Sequence, residues 1–375
     1  MRVLVFLHSF EPGGVERVAL RLCKAWVGDG VDVKLVLGRG DGAMRAEAGA
    51  LEYETLSDGR FPTAAWETLW MIMRLPATIR RERPEVLFCA GNSYSIVAVA
   101  MKLLLGRACP PIVAKISNDL GRSDFPAPVR WLYYRWLRLQ ARFIDRFVGM
   151  APPMRAEIAT AMNVSDAEVD IIDDPALSMA DIERFSVGHV DGRERTRFLA
   201  AGRLVPQKNF PLLLRAFAKV AKGDDRLTII GDGPERPRIE KLAVVLGIAG
   251  RLSLPGHVTD LAPWFADADI FALSSDYEGV PAVIAEALAA GLAIAATDCS
   301  VSMGDMLGGG QYGQIVPPGN IDAFARALNQ SRTISLDSAG MAAFAGRFTV
   351  EKAAAHYVAI FTETVVRPTD AYSGQ

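Results

Sequence analysis

The stretch Ser275-Asp276-Tyr277-Glu278-Gly279-Val280-Pro281-Ala282-Val283-Ile284-Ala285-Glu286-Ala287-Leu288-Ala289-Ala290-Gly291 decides how the chain is read. The run before it, Asp269 to Ser275, is apolar and ends in small polar residues, as a buried strand does. Pro281 stands where a first helical position belongs, the residues after it are apolar or strong helix formers, and Gly291 closes the run. The pattern predicts a strand, a turn through Gly279 and Val280, and a helix opening at the strand's carboxyl end. Unpaired backbone N–H groups and the helix dipole at that point suit an anion. Glu278 lies in the turn, and Glu286 about five residues into the helix, ~7.5 Å further along its axis. Two carboxylates do not attract an anion. They make sense as acceptors for hydroxyls on either side of a phosphate, as in a sugar nucleotide.

At 375 residues the chain exceeds one small core, and two domains are expected. Half of the residues are hydrophobic, broken throughout by Gly and Pro, which fits an α/β protein. A net charge of −2 gives no overall case for a nucleic-acid partner. Cys23, Cys89, Cys109 and Cys299 are scattered, with no C-x-x-C pair and no His at metal-ligand spacing, so they read as reduced core thiols. The apolar run at the N-terminus is too short for a signal sequence, and no window approaches a membrane span. A cytoplasmic protein is expected, with peripheral docking to the inner face of the membrane left open.

From the start, Val3 to Leu7 reads as a short buried strand and His8 to Gly14 as a loop. Val15, Val18, Ala19, Leu22 and Trp26 then recur at helical spacing. The glycines Gly13 and Gly14 fall at the strand's carboxyl end, where open α/β sheets bind ligands, although the G-x-G-x-x-G fingerprint is absent. Strands follow at Val31–Leu37, Glu85–Ala90, Ile112–Ile116, Arg146–Met150 and Val169–Ile172, with helical patterns between them, clearest over 92–105 and 128–143. Such alternation means a parallel sheet covered on both faces. From Ser178 to Glu194 there is no sustained periodicity, and the domain boundary is placed there. Arg197 to Ala201 begins a second set of strands, followed by Gly202-Arg203-Leu204-Val205-Pro206-Gln207-Lys208-Asn209. A departing nucleoside diphosphate gains about one negative charge, which fixed cations stabilise. Arg203 offers a planar fork for phosphate oxygens and Lys208 a movable point charge.

The Glu-x7-Glu element and the G-R-x-x-x-x-K loop about seventy residues ahead of it resemble the retaining glycosyltransferases of family 4 (glycosyl transferases group 1). The resemblance implies an α/β protein of the GT-B architecture, two Rossmann-like domains whose parallel sheets face each other across a cleft. Residues 1–180 would form the acceptor domain and 195–349 the nucleotide-sugar donor domain, with a terminal helix over 350–366 packing back on the first. By the same resemblance Glu278 contacts the transferred sugar and Glu286 the ribose, and Arg203 and Lys208 hold the diphosphate. Gly13 and Gly14 approach the donor phosphate and acceptor, Gly231 belongs to a turn near the donor, and His257 and Val258 lie where backbone reads the base. Gly279, Val280 and Pro281 complete the donor site. The implied reaction is metal- and cofactor-independent transfer of a hexose or N-acetylhexosamine with retention, in which the leaving phosphate oxygen takes the acceptor's proton. The resemblance of Tyr277-Glu278-Gly279-Val280-Pro281 to the segment of UDP-sugar users implies a UDP-sugar donor, with GDP-mannose as runner-up, and the expected acceptor is a lipid-linked glycan in bacterial polysaccharide synthesis. A nucleotide-sugar epimerase and an inactive sugar-nucleotide-binding module are the competing readings. The first would want carboxylates and a His set for proton transfer, and the intact Arg203, Lys208, Glu278 and Glu286 argue against the second.

Two positions depart from the family pattern. After Ile112–Ile116, where many members have a His, the chain reads Lys115-Ile116-Ser117-Asn118-Asp119, which leaves Asn118 as the candidate near the transferred sugar. Asp174 stands where an Asn-containing turn is common. Asp267-Ala268-Asp269 fits the D-x-D of metal-dependent transferases of the other architecture, but it precedes a strand and reads as a turn. His8 either reaches the site or is structural. Residues 60–146 hold 14 Arg or Lys against 6 Asp or Glu, and Arg135, Arg138, Arg142 and Arg146 fall on one face of a helix with Trp131. That face is either an ordinary solvated one or a dock for an anionic membrane.

Overall fold

A strand such as Val3-Leu4-Val5-Phe6-Leu7 has no polar alternation, so both of its faces must be covered. The computed structural model of the chain builds this arrangement twice. It describes residues 1–11, 13–57, 66–121, 126–186, 196–334 and 337–366. The chain divides into two compact units, Met1–Pro175 with the segment from Val350 onward, and Ala176–Thr349.

The first unit has seven parallel strands: β1 (Arg2–Leu7), β2 (Asp32–Leu37), β3 (Tyr53–Thr55), β4 (Val86–Cys89), β5 (Ile112–Lys115), β6 (Arg146–Gly149) and β7 (Val169–Ile171). Their order is β3-β2-β1-β4-β5-β6-β7, so the direction of winding reverses beside β1. The helix Gly14–Gly28 lies against the helix Val350–Val366. Trp26 joins them: its indole N–H donates to the Ala354 carbonyl at 3.2 Å, and its ring packs edge-on against Phe88, Tyr357 and Phe361. Asp174, unexplained by the sequence, is buried and ion-paired to Lys115 Nζ at 2.5 Å.

The arginine stripe does not survive as read. The helix runs Ala127–Gln140, and Arg142 falls in the turn after it. Arg146 is the first residue of β6 and is buried, its Nε donating to Asp170 Oδ2 at 2.9 Å and its Nη1 to the Ala167 carbonyl at 2.8 Å. The helix stops because Asp145 ties the chain to β5, accepting from the Ile112 N–H and from Lys102 Nζ, each at 2.8 Å. Trp131 does lie on the exposed face with Arg135. Trp131 and Leu132 are each 61% exposed, and the buried positions are Leu137 and Gln140.

The second unit has six parallel strands: β8 (Arg197–Ala201), β9 (Arg226–Ile230), β10 (Leu252–Gly256), β11 (Ile270–Leu273), β12 (Ala293–Thr297) and β13 (Gln314–Val316), ordered β10-β9-β8-β11-β12-β13. β8 and β11 are neighbours at the reversal of winding, where open α/β sheets leave a crevice at the strands' carboxyl ends. The segment assigned to a boundary begins with a helix, Met179–Phe185. Ser178 and Asp181 close a capping box on it, and Phe185 packs on Phe265 at 5.3 Å. Residues 187–194 of that segment, with Gly188 and Gly192, lie outside the described residues.

Candidate active site

The loops that leave β8 and β11 are stitched together by side chains. Lys208 ends a single 3-10 turn, Pro206–Lys208, and Asn209 adopts a left-handed conformation (φ 42°) to cap the helix Phe210–Val220. This turn aims the Lys208 side chain at the second loop, where Nζ lies 2.5 Å from Glu278 Oε1. The Ser275 hydroxyl donates to the same oxygen at 2.7 Å, and the Glu278 N–H donates to the Cys299 carbonyl at 2.7 Å. Gln207 donates to the Tyr277 carbonyl at 2.8 Å, and Asn209 to Asp276 Oδ1 at 2.7 Å. Thr297 Oγ1 donates to the Ser275 carbonyl at 2.5 Å, and the Ser300 hydroxyl to that of Gly279, so β12 braces the turn from behind.

The helix after the turn is Ala282–Ala289. Pro281 is its extended N-cap (φ −75°, ψ 97°) rather than its first residue, and no side chain caps it. The first N–H groups of a helix have no intrahelical partner, so this end keeps its affinity for an anion. Val280 packs on the core beneath, and Glu286 is half-buried on the second turn. Arg203 is exposed in the β8 loop. Gly231 brings the β9 loop against it: at φ +132°, a Cβ there would lie 2.0 Å from the Gly202 carbonyl oxygen, so only glycine fits. The Gly231 N–H in turn donates to the Gly256 carbonyl at 2.9 Å, which sets the exposed His257 and half-buried Val258 beside it. Arg203, Lys208, Gly231, His257, Val258 and Glu278 to Pro281 thus gather on the loops at one end of this sheet. Asp267 and Asp269 are at the other end. Asp269 Oδ2 accepts the Arg197 N–H at 2.6 Å and Asp267 pairs with the Arg197 side chain, which makes the D-x-D a tie between β8 and β11.

Four residues weighed for the site lie in the first unit. Gly13 precedes the helix Gly14–Gly28, and a Cβ there would meet Glu16 Oε2 at 2.0 Å, so the absent side chain lets Glu16 fold back toward the loop. Gly14 is the first helical residue. Asn118 is exposed in the loop after β5, next to Ser117, whose N–H donates to Asn92 Oδ1 at 2.8 Å. His8 ends at the ring of Tyr94, 4.7 Å away, and Tyr94 donates from its hydroxyl to Glu16 Oε1 at 2.6 Å. Burial pulls the His8 pKa below its usual 6.5 despite nearby Glu67 and Glu16, with Arg39 acting in the same direction as burial.

Residues 12–174 match the model of Glycosyltransferase Family 4, and residues 195–332 match that of Glycosyl transferases group 1. The chain belongs to glycosyltransferase family 4. It is 25% identical over 341 residues, 88% of each chain, to the lipopolysaccharide core biosynthesis glycosyltransferase LpsE of Rhizobium meliloti (strain 1021). Among solved structures it resembles the apo form of the lipopolysaccharide outer core galactosyltransferase WaaB, with a TM-score of 0.76 and 19% identity over 97% of this chain and 100% of that one. It also resembles HepE of Anabaena in complex with UDP and glucose, with a TM-score of 0.73 and 18% identity over 96% of this chain and 99% of the other. The fold is GT-B, and the protein is a glycosyltransferase.

Within this family 4 glycosyltransferase, motif reading found the two cations and the turn carboxylate but not their mutual contact. It also passed over Ser275, Gln207, Asn209, Thr297 and Ser300, which fix the turn. Ser275 carried a usable signal: a hydroxyl three residues before Glu278, at a strand's end, is placed to turn back onto that carboxylate. Paired with Lys208, Glu278 keeps lone pairs that can accept further hydrogen bonds, and Lys208 keeps N–H groups that can donate them.

Proposed function

We propose that the chain transfers a hexose or N-acetylhexosamine, with retention, from a UDP-sugar to a lipid-linked glycan in the synthesis of a bacterial surface polysaccharide. The observation that carries the donor half is the contact of Lys208 with Glu278, on loops at the reversal of winding, with Arg203 exposed on the same loop as Lys208. A sugar diphosphate spans such a site, its phosphate oxygens toward the cations and the Ala282–Ala289 N-terminus, and its hydroxyls toward Glu278. As the bond from sugar C1 to the phosphate oxygen breaks, charge grows on the diphosphate, and Arg203 and Lys208 stabilise it. The acceptor oxygen bonds to C1 on the same face and its proton passes to the departing phosphate oxygen. Neither a protein nucleophile nor a metal ion is needed. UDP is favoured by the resemblance of the Tyr277–Pro281 segment to that of UDP-sugar users, and HepE was solved with UDP and glucose. The lipopolysaccharide enzyme LpsE supports a lipid-anchored glycan as acceptor.

The test is a panel of UDP- and GDP-sugars, each observed by saturation-transfer NMR, followed by turnover in EDTA. One UDP-sugar is expected to bind and react with EDTA present, and the first-formed product should keep the donor's anomeric configuration. An inverted product overturns the mechanism, and exclusive binding of GDP-mannose overturns the choice of nucleotide.

A further inference from the structure

Two serines follow one another after β11, and each is committed to a different loop. Ser274 Oγ donates to the Lys208 carbonyl at 2.8 Å, and Ser275 Oγ donates to Glu278 Oε1 at 2.7 Å. Both residues are buried, Ser275 completely, so its hydroxyl is out of reach of a bound donor. Ser275 is itself held from two sides. Thr297 Oγ1 on β12, also fully buried, donates to its carbonyl at 2.5 Å, and the N–H of the next residue, Asp276, donates to the Gln207 carbonyl at 2.9 Å.

The two oxygens of Glu278 are therefore unequal. Oε1 takes Lys208 Nζ at 2.5 Å as well as the Ser275 hydroxyl, whereas Oε2 meets Gln207 Nε2 at 3.5 Å, the outer limit of a hydrogen bond. An ionised carboxylate has about four acceptor sites, shared between its oxygens, so Oε1 is filled while Oε2 keeps room for a donor. The terminal torsion of a Glu side chain is broad and roughly two-fold, so nothing in Glu278 itself decides how the carboxylate is turned. Lys208 does not decide it either, because an ammonium on a flexible stem follows either oxygen. A hydroxyl on a one-carbon stem, at a buried position tied from two sides, cannot follow. Ser275 reaches one place only.

We propose that Ser275 is a positioning residue for the transfer: with Lys208 it locks Oε1 of Glu278, and so leaves Oε2 as the oxygen that accepts one hydroxyl of the transferred sugar. The inference rests on reading Glu278 as the residue that meets the sugar. It adds that this hydroxyl is read through a serine the donor does not touch. A serine that only held the turn together would, when lost, weaken nucleotide binding and catalysis alike. A positioning serine acts on the sugar and leaves the nucleotide alone.

The probes are UDP-glucose, UDP-galactose, UDP-N-acetylglucosamine and GDP-mannose, with the monodeoxy analogues of whichever is turned over. Release of the nucleoside diphosphate is followed in the wild type and in the Ser275→Ala and Ser275→Cys variants. Calorimetry gives the affinity for the free nucleoside diphosphate, and thermal unfolding checks the fold of each variant. Ser275→Ala is expected to lower kcat about tenfold to a hundredfold, as for one lost hydrogen bond to a charged group, with KM and nucleotide affinity within about twofold of the wild type. Ser275→Cys, a weak donor of similar size, should fall between the two, and it carries the comparison should Ser275→Ala not fold. With the wild type, one deoxy donor should react at least about tenfold more slowly than its parent, and in Ser275→Ala that penalty should largely vanish. An unchanged deoxy penalty, an unchanged kcat, or a loss of nucleotide affinity as large as the loss of kcat overturns the inference and leaves the transfer reading standing. A wild type that turns over none of the four donors overturns that reading, and the inference with it.

Discussion

Lys208 Nζ and Glu278 Oε1 lie 2.5 Å apart although 70 positions separate them in the chain. Their side chains are 18% and 12% exposed, so the pair sits largely out of solvent, where an ion pair is screened little. Each was assigned a different part of one donor molecule, Lys208 the diphosphate and Glu278 the sugar. Their contact joins the two loops, so a change at one residue reaches the other.

The two residues should therefore behave as a unit. In a double-mutant cycle of Lys208→Met and Glu278→Gln, thermal unfolding is expected to show a coupling of about 0.5–3 kcal/mol, and UDP binding should be non-additive in the same direction. Additive effects in both measurements would mean that the contact carries no energy and that the loops are held by their other hydrogen bonds, those of Ser274, Asp276, Gln207 and Asn209.

The two carboxylates should separate by function. Glu278→Gln is expected to cut kcat severely while UDP still binds, because its partner is the sugar. Glu286→Gln should weaken UDP itself by about 1.5–3 kcal/mol if a charged hydrogen bond to the ribose is lost. Isothermal calorimetry with UDP decides it. Unchanged affinity in the Glu286 variant rules out the ribose role.

Lys115 and Asp174 offer a prediction about stability. Both side chains are under a tenth exposed, and the pair joins β5 to the segment that leads out of the first unit. Removing one partner strands a buried charge and should cost about 3–5 kcal/mol, whereas replacing both by apolar residues of similar size should cost far less. Lys115→Met should lower Tm well below that of Lys115→Met/Asp174→Leu. The reverse order would mean that the pair is valued for its charges.

What the sequence disclosed and what it hid follow from the range of the interactions. Buried strands such as Val3–Leu7 are local runs, and the loops around Arg203 and Glu278 are short motifs, so both were legible. The Lys115–Asp174 pair spans 59 positions and leaves no local mark. Periodicity showed that the helix beginning near Ala127 is amphipathic and put Trp131 on its arginine face, but not that Leu132 would also face outward, because which side is covered is decided by neighbouring elements. Nor could it show that Asp145 ends the helix pattern by anchoring to β5. The capping box of Ser178 and Asp181 is a local signal, but the helix it starts is only seven residues long, too short for a sustained periodicity.

His8 supplies a pH signature. Burial lowers its pKa below 6.5, Glu67 and Glu16 oppose that, and Arg39 adds to it. The unfolded chain therefore binds a proton here at a higher pH than the folded one. This contribution to stability is present above pH 6.5 and is lost as the pH falls below it toward the folded-state value. His8 ring resonances should titrate below 6.5, and His8→Asn should flatten the loss of stability of the chain over that interval. A His8 midpoint above 6.5 would reverse the sign and leave burial outweighed by the two carboxylates.

The exposed side of the Ala127–Gln140 helix carries the membrane prediction on Trp131, Arg135 and Arg138, without Arg142 and Arg146. Trp131 and Leu132 are each 61% exposed, Val129 46% and Leu139 44%, and Arg135 lies over the Trp131 ring at 5.5 Å, with Arg138 one turn further on. Apolar side chains and cations on one exposed helix face suit the boundary of an anionic bilayer. Each arginine near such a surface contributes about 1 kcal/mol, and Trp131 and Leu132 add apolar burial. The wild type should float with phosphatidylglycerol vesicles at low salt, less at high salt, and not with phosphatidylcholine vesicles. Arg135→Glu/Arg138→Glu should abolish flotation without changing Tm by more than about 1 kcal/mol equivalent, as expected of surface sites. Arg146→Ala should do the opposite, because its guanidinium is buried on Asp170 and never reaches a membrane: Tm should drop while any folded protein still floats. Loss of flotation in Arg146→Ala with Tm intact would return that residue to the surface and overturn the assignment of this face.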